Sequence, residues 1–99
     1  MTELANPQNG VVMREFSIIN QRGLHARASA KFVQVVSAHD ATVEVEKDGV
    51  TVGGTSIMGL MMLAASPGCC ISVKASGPQA MEVMQALEEL ISSRFGEES

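Results

Sequence analysis

The chain has no tryptophan, no tyrosine and only three phenylalanines in 99 residues. That excludes the stacking platforms on which single-stranded nucleic acids are bound, and it leaves valine, isoleucine, leucine and methionine to fill the interior. Basic residues are few as well. Seven Lys/Arg stand against eleven Asp/Glu for a net charge of −4, and the seven are scattered along the chain, so no nucleic-acid partner is expected. No apolar run approaches the roughly 20 residues of a membrane span, and no membrane partner is expected either. The opening "MTELANPQNG" has neither the basic nor the apolar region of a secretory signal; residues 1–10 are expected to form a disordered arm. Cysteine occurs twice, at the adjacent positions Cys69 and Cys70. Neighbours on a strand point to opposite faces, so these two are not expected to bridge each other. One is expected in the core and one half-exposed, in a reducing cytoplasm.

What is present suffices for one small domain. A chain of this size buries only roughly 60–65% of its unfolded surface, enough for a single core. The segment "VVMREFSII" (11–19) is rich in β-branched residues and partly alternating, which predicts a strand, and "NQRG" (20–23) breaks it. From Ala26 to about Ala38, Ser29, Phe32, Val33 and Val36 recur at helical spacing. In "ATVEVEKDGVTV" (41–52), Val43 and Val45 alternate with Glu44 and Glu46 around an Asp48-Gly49 turn, the pattern of a hairpin with one wet face. "TSIMGLMMLAA" (55–65) predicts a short helix capped by Thr55 or Ser56, and "CCISVKA" (69–75) a fourth strand. In the last helix Ala80, Val83, Met84, Leu87 and Ile91 form an apolar stripe. The domain is expected to span 11–95 and to end in an acidic tail, 96–99.

The order β-α-β-β-α-β-α predicts an α+β protein: a two-layer open-faced sandwich, with a four-stranded antiparallel sheet and three helices on one face. The same string is compatible with a ferredoxin-like arrangement, because element order does not set strand order.

His25 falls where loop becomes helix. The first turn of a helix carries unpaired N–H groups and partial positive charge, which favour an anion. A positive end also disfavours a second positive charge on the imidazole, leaving one ring nitrogen free as a nucleophile. Arg27 adds a fork of donors suited to phosphate oxygens, and Gly23 permits close approach of the loop backbone. These are the parts for accepting a phosphoryl group on a side chain. A histidine near a helix start followed by a solvated arginine is a common combination, however, and His-x-Arg alone does not identify a site.

The surrounding motifs are longer. "GLHARASAKFV" (23–33) followed by "GGTSIMGLMML" (53–63) closely resembles the HPr family of the bacterial phosphoenolpyruvate phosphotransferase system, whose first motif is GLHARPA and whose second is a Ser-Ile-Met-Gly-Leu-Met run. The resemblance extends from about Val12 to Ile91. It implies that His25 is phosphorylated on Nδ1 by Enzyme I and passes the group to an EIIA-type protein. Arg27 and the backbone N–H groups of Ala26 and Arg27 would hold the phosphate. The protein would be a phosphorylated carrier rather than an enzyme with its own turnover, with no cofactor and no metal. Ser56 would be a regulatory site for an HPr kinase/phosphorylase. The exposed part of "IMGLMML" (57–63), namely Ile57, Met58 and Met61, would dock partners, consistent with an apolar patch that a two-layer domain cannot cover. A carrier presenting one face to successive partners is expected to be a monomer. The chain departs from the family at Ala28-Ser29, where Pro-Ala is usual; losing a residue that pre-sets the first helical turn should loosen it modestly. Two other readings of the residues stay open: a regulatory docking module of the same fold, and a small phosphate-cleaving enzyme, the latter weakened by the lack of a water-activating group near Gly23–Arg27.

Overall fold

A computed structural model describes residues 11–97; the expected arm and the last two residues of the expected tail lie outside the described residues. The elements are β1 (Val12–Ser17), α1 (Ala26–Ser37), β2 (Thr42–Lys47), β3 (Val50–Gly53), α2 (Ile57–Met62), β4 (Cys70–Ser76) and α3 (Ala80–Ser92), followed by a short 3-10 turn at Arg94–Gly96. The four strands lie in the order β1-β4-β2-β3, and all three pairings are antiparallel. A ferredoxin-like sheet is antiparallel as well, but it has β1 and β3 at its centre. Here β4 and β2 are central and β1 and β3 lie at the edges, which excludes that alternative and gives the open-faced sandwich.

Register follows from which side chains must leave water. Val43 pairs with Ala75 and Val45 with Val73 across β2 and β4, so the buried residues Val43, Val45, Ile71, Val73 and Ala75 share the inner face. Glu44, Glu46 and Lys74 occupy the opposite, exposed face; a slip of one residue would exchange the two sets. Asp48 and Gly49, with φ of 54° and 83°, make the tight turn between β2 and β3. The stripe of α3 is buried as its periodicity predicts, through Ala80, Val83, Met84, Leu87 and Ile91. Phe32 and Val36 of α1 and Leu60 of α2 close the remaining core. At the sheet edge, Arg14 of β1 donates to Glu88 of α3 at 2.6 Å.

Two features depart from the sequence-based expectation. Neither cysteine is in the core: Cys70 is exposed and Cys69 only half-buried, both as free thiols. The inner positions of β4 are taken by Ile71, Val73 and Ala75, which puts Cys70 on the wet face and Cys69 in the preceding turn. Beyond α3 the chain does not run straight off as an acidic tail. Arg94, Phe95 and Gly96 all have left-handed backbone, with φ of 57°, 56° and 78°. They fold back so that Phe95 is fully buried, and the carbonyl of Phe95 accepts a hydrogen bond of 2.6 Å from Lys31 Nζ in α1. Among the described residues no helix is long and apolar enough to cross a membrane.

Candidate functional site

Where the β1–α1 loop ends, His25 has extended backbone (φ −76°, ψ −176°) and is the N-cap of α1. The first rung of the helix runs from the Ser29 amide to the His25 carbonyl at 2.8 Å. The His25 ring turns back over the first turn, so that Nδ1 accepts from the Arg27 amide at 3.2 Å. Ser29 Oγ donates to the Leu24 carbonyl at 3.2 Å, a brace for the turn that lacks the family's proline. Gly23, at φ +66°, carries the loop across the chain after α2: a β-carbon there would lie 2.4 Å from the Ala65 carbonyl oxygen. That same oxygen accepts from the Leu24 amide at 2.9 Å. The close approach that Gly23 permits is thus within the protein, and it locks the His25 loop to the end of α2.

The other side of the ring meets a residue that no local pattern signals. His25 Nε2 is hydrogen-bonded to the Glu97 carboxylate through Oε2, and both side chains are largely withdrawn from water, at 18% and 13% exposure. Glu97 Oε1 accepts from Asn20 Nδ2 at 3.1 Å, and the same nitrogen donates to the Gly23 carbonyl at 2.8 Å. Both partners are acceptors, so the amide of the fully buried Asn20 must present its nitrogen to them. The hydrogen bond from His25 holds the Glu97 carboxyl below the usual glutamate range, helped by Asn20 and Arg22 and opposed by burial. The imidazole therefore sits between the positive end of α1 and a carboxylate, where the sequence indicates only the former. Arg22, Leu24 and His25 line a shallow cavity of about 230 Å³ with Ala64, Ala65 and Ser66.

Arg27 is exposed in the first turn of α1, two residues from His25, and Ala26 between them is exposed as well. Ser56 is the N-cap of α2, its Oγ accepting from the Gly59 amide at 2.9 Å, so the cap is Ser56 and not Thr55. On α2 itself, Leu60 and the following Leu63 are buried, while Ile57, Met58, Met61 and Met62 remain exposed at 40%, 72%, 42% and 76%. Met62, the most exposed of them, is an addition to the patch read from the sequence. His39, past the end of α1, contacts the Val35 carbonyl through Nδ1 at 2.7 Å and takes no part in the site.

An open-faced sandwich whose first helix is capped by a histidine, with Nδ1 facing a first-turn amide, is the arrangement of a small histidine-bearing α+β protein. Comparison with known proteins gives the family. The family described as "PTS HPr component phosphorylation site" matches residues 12–93. The phosphocarrier protein HPr of Cupriavidus necator is 45% identical over 87 residues, covering 88% of this chain and 98% of that protein. Among solved structures, the HPr of Thermoanaerobacter tengcongensis superposes with a TM-score of 0.85 at 42% identity, over 89% of this chain and 99% of the other. An HPr dimer from the same organism gives 0.70 at 44% identity, over 83% and 94%. The chain belongs to the HPr family of phosphocarrier proteins.

Proposed function

We propose that the chain accepts a phosphoryl group on Nδ1 of His25 from phosphorylated Enzyme I, charged by phosphoenolpyruvate, and passes it to an EIIA-type protein in the cytoplasm. The observation that carries this reading is the position of Nδ1 over the first turn of α1, with the Arg27 amide directed at it. When a phosphoryl group arrives, its oxygens can take over that amide and its neighbour at Ala26, and the helix end stabilises their charge. The Arg27 guanidinium is solvent-facing and can swing onto the equatorial oxygens. Imidazole leaves readily, so the N–P bond retains transfer potential and the protein needs no cofactor, no metal and no turnover of its own.

In the same reading, Ser56 is the site for an HPr kinase/phosphorylase. A phosphate there would suit the start of α2 but bring about two negative charges beside the docking patch. Ile57, Met58 and Met61 form the contact surface for Enzyme I and the EIIA-type acceptor, joined by Met62. The working form is a monomer, a point that sedimentation can decide against the dimer described for the Thermoanaerobacter tengcongensis protein.

The test is incubation with Enzyme I and labelled phosphoenolpyruvate. The expected result is an acid-labile label on the protein that is absent from His25→Ala. No label on the folded protein would reduce it to a docking module; release of free phosphate would make it a hydrolase. Either result overturns the carrier reading.

A further inference from the structure

The turn at Arg94–Gly96 is costly to form. Left-handed backbone at the non-glycine residues Arg94 and Phe95 is sterically disfavoured, and such conformations persist where the surrounding structure over-determines them. Here Phe95 is locked into the core and its carbonyl is held by Lys31. The outcome of this arrangement is the delivery of one side chain, Glu97, to one atom, Nε2 of His25. The hook lies beyond residue 93, where the match to the family ends.

We propose that Glu97 is a positioning residue for phosphoryl transfer: anchored by Asn20 and the C-terminal hook, its carboxylate holds the Nε2–H of His25 and thereby presents Nδ1 as the ring nitrogen with the free lone pair. A carboxylate accepts only, so the proton of the shared hydrogen bond belongs to Nε2. The Arg27 amide, donating to Nδ1, favours the same tautomer, but its contact is long at 3.2 Å and must be surrendered when Nδ1 reacts. From that moment Glu97 alone orients the ring. In the step itself the Nδ1 lone pair forms the new N–P bond, while the P–N bond of the phosphohistidine donor breaks and its electron pair returns to the donor's nitrogen. The Nε2 proton does not leave; the ring acquires positive character, which the carboxylate faces. The carboxylate stands on the ring edge away from Nδ1, so it does not lie in the path of the incoming group.

This inference rests on the carrier reading, and its test separates the two. Nitrogen NMR of the unphosphorylated full chain near neutral pH reads the tautomer directly, without any transfer. The wild type is expected to show His25 protonated on Nε2 alone, Glu97→Ala a mixture of tautomers, and Glu97→Gln, whose amide oxygen still accepts, the wild-type pattern. In transfer from phosphorylated Enzyme I, Glu97→Ala is expected to lose roughly tenfold in kcat from poorer orientation with KM for the carrier unchanged, and Glu97→Gln to recover part of that loss. A wild-type protein that accepts no phosphate overturns the carrier reading underneath. A wild type that accepts it, with Glu97→Ala keeping a single tautomer or the full rate, overturns the role of Glu97 alone.

Discussion

At the scale of single residues, His25 is defined by what each of its nitrogens faces: an amide at the start of α1 on one side and Glu97 on the other. The second contact has a consequence for stability that is independent of transfer. Because the folded state holds the Glu97 carboxyl below its ordinary range, the unfolded chain takes up this proton first as the pH falls. The contribution is therefore fully present above the ordinary glutamate range and is lost as the pH drops through the lowered value. The hydrogen bonds from His25 and Asn20 and the charge of Arg22 all act on the carboxyl in the same direction, and burial alone opposes them, so the sign holds. A hydrogen bond to a charged group contributes roughly 1.5–3 kcal/mol, which partial exposure lowers to about 1. Glu97→Gln should thus melt a few degrees below the wild type at neutral pH, and the gap should close as the pH falls through and below the ordinary glutamate range. A gap that persists undiminished into acid would mean that the carboxylate charge is not what holds the hook.

At the scale of elements, caps and packing decide where each helix starts and stops. Helix α2 begins where Ser56 Oγ meets the Gly59 amide and ends within six residues, the chain turning left-handed at Ala64 with φ 53°. So short a helix depends on its cap. Ser56→Ala is expected to cost about 1 kcal/mol, a fall of about 4–8 °C in melting temperature, whereas Ser56→Asp, an equally good cap, should keep the wild-type value; differential scanning calorimetry of the three proteins checks this. Alternation in Val43–Glu46 and the Asp48-Gly49 turn suffice to write down the β2–β3 hairpin, and the spacing of Val83, Met84, Leu87 and Ile91 suffices for α3, because these signals are local and periodic. The cap position of His25 was legible from the loop residues before it. Strand order was not, since it depends on which chains meet across the sheet. Nor was the hook: Arg94 and Phe95 have no propensity for left-handed backbone, and a tail of glycine and glutamates reads as solvated until Phe95 finds its place in the core. Asn20 and Glu97 escaped for the same reason, their meaning arising from contacts far apart in the chain.

At the scale of the whole molecule, burial leaves one end of the helical layer incomplete. The sheet and α3 consume the apolar stripes available to them, and α2, packed against β3 and α1, can bury Leu60 and Leu63 but not the side chains on its other face. The His25 loop is bonded to the chain just after that helix through the Ala65 carbonyl, which ties the proposed phosphoryl acceptor to the element that carries the uncovered methionines. On the proposed reading chemistry and recognition are separable, because Glu97 is hydrogen-bonded to the ring while Met58 and Met62 are largely exposed. Replacing both exposed methionines by glutamine keeps length and charge, and surface changes of this kind usually alter stability by less than about 0.5 kcal/mol. The double variant Met58→Gln, Met62→Gln should therefore melt with the wild type. If these residues form the buried centre of the docked complex, each loss of apolar contact costs about 1 kcal/mol or more, and KM for the carrier in transfer from Enzyme I should rise roughly thirtyfold for the pair with kcat preserved. That is the opposite signature to Glu97→Ala. A double variant with unchanged KM would move the docking surface off α2, while one that lost kcat instead would tie the methionines to the chemistry of the ring.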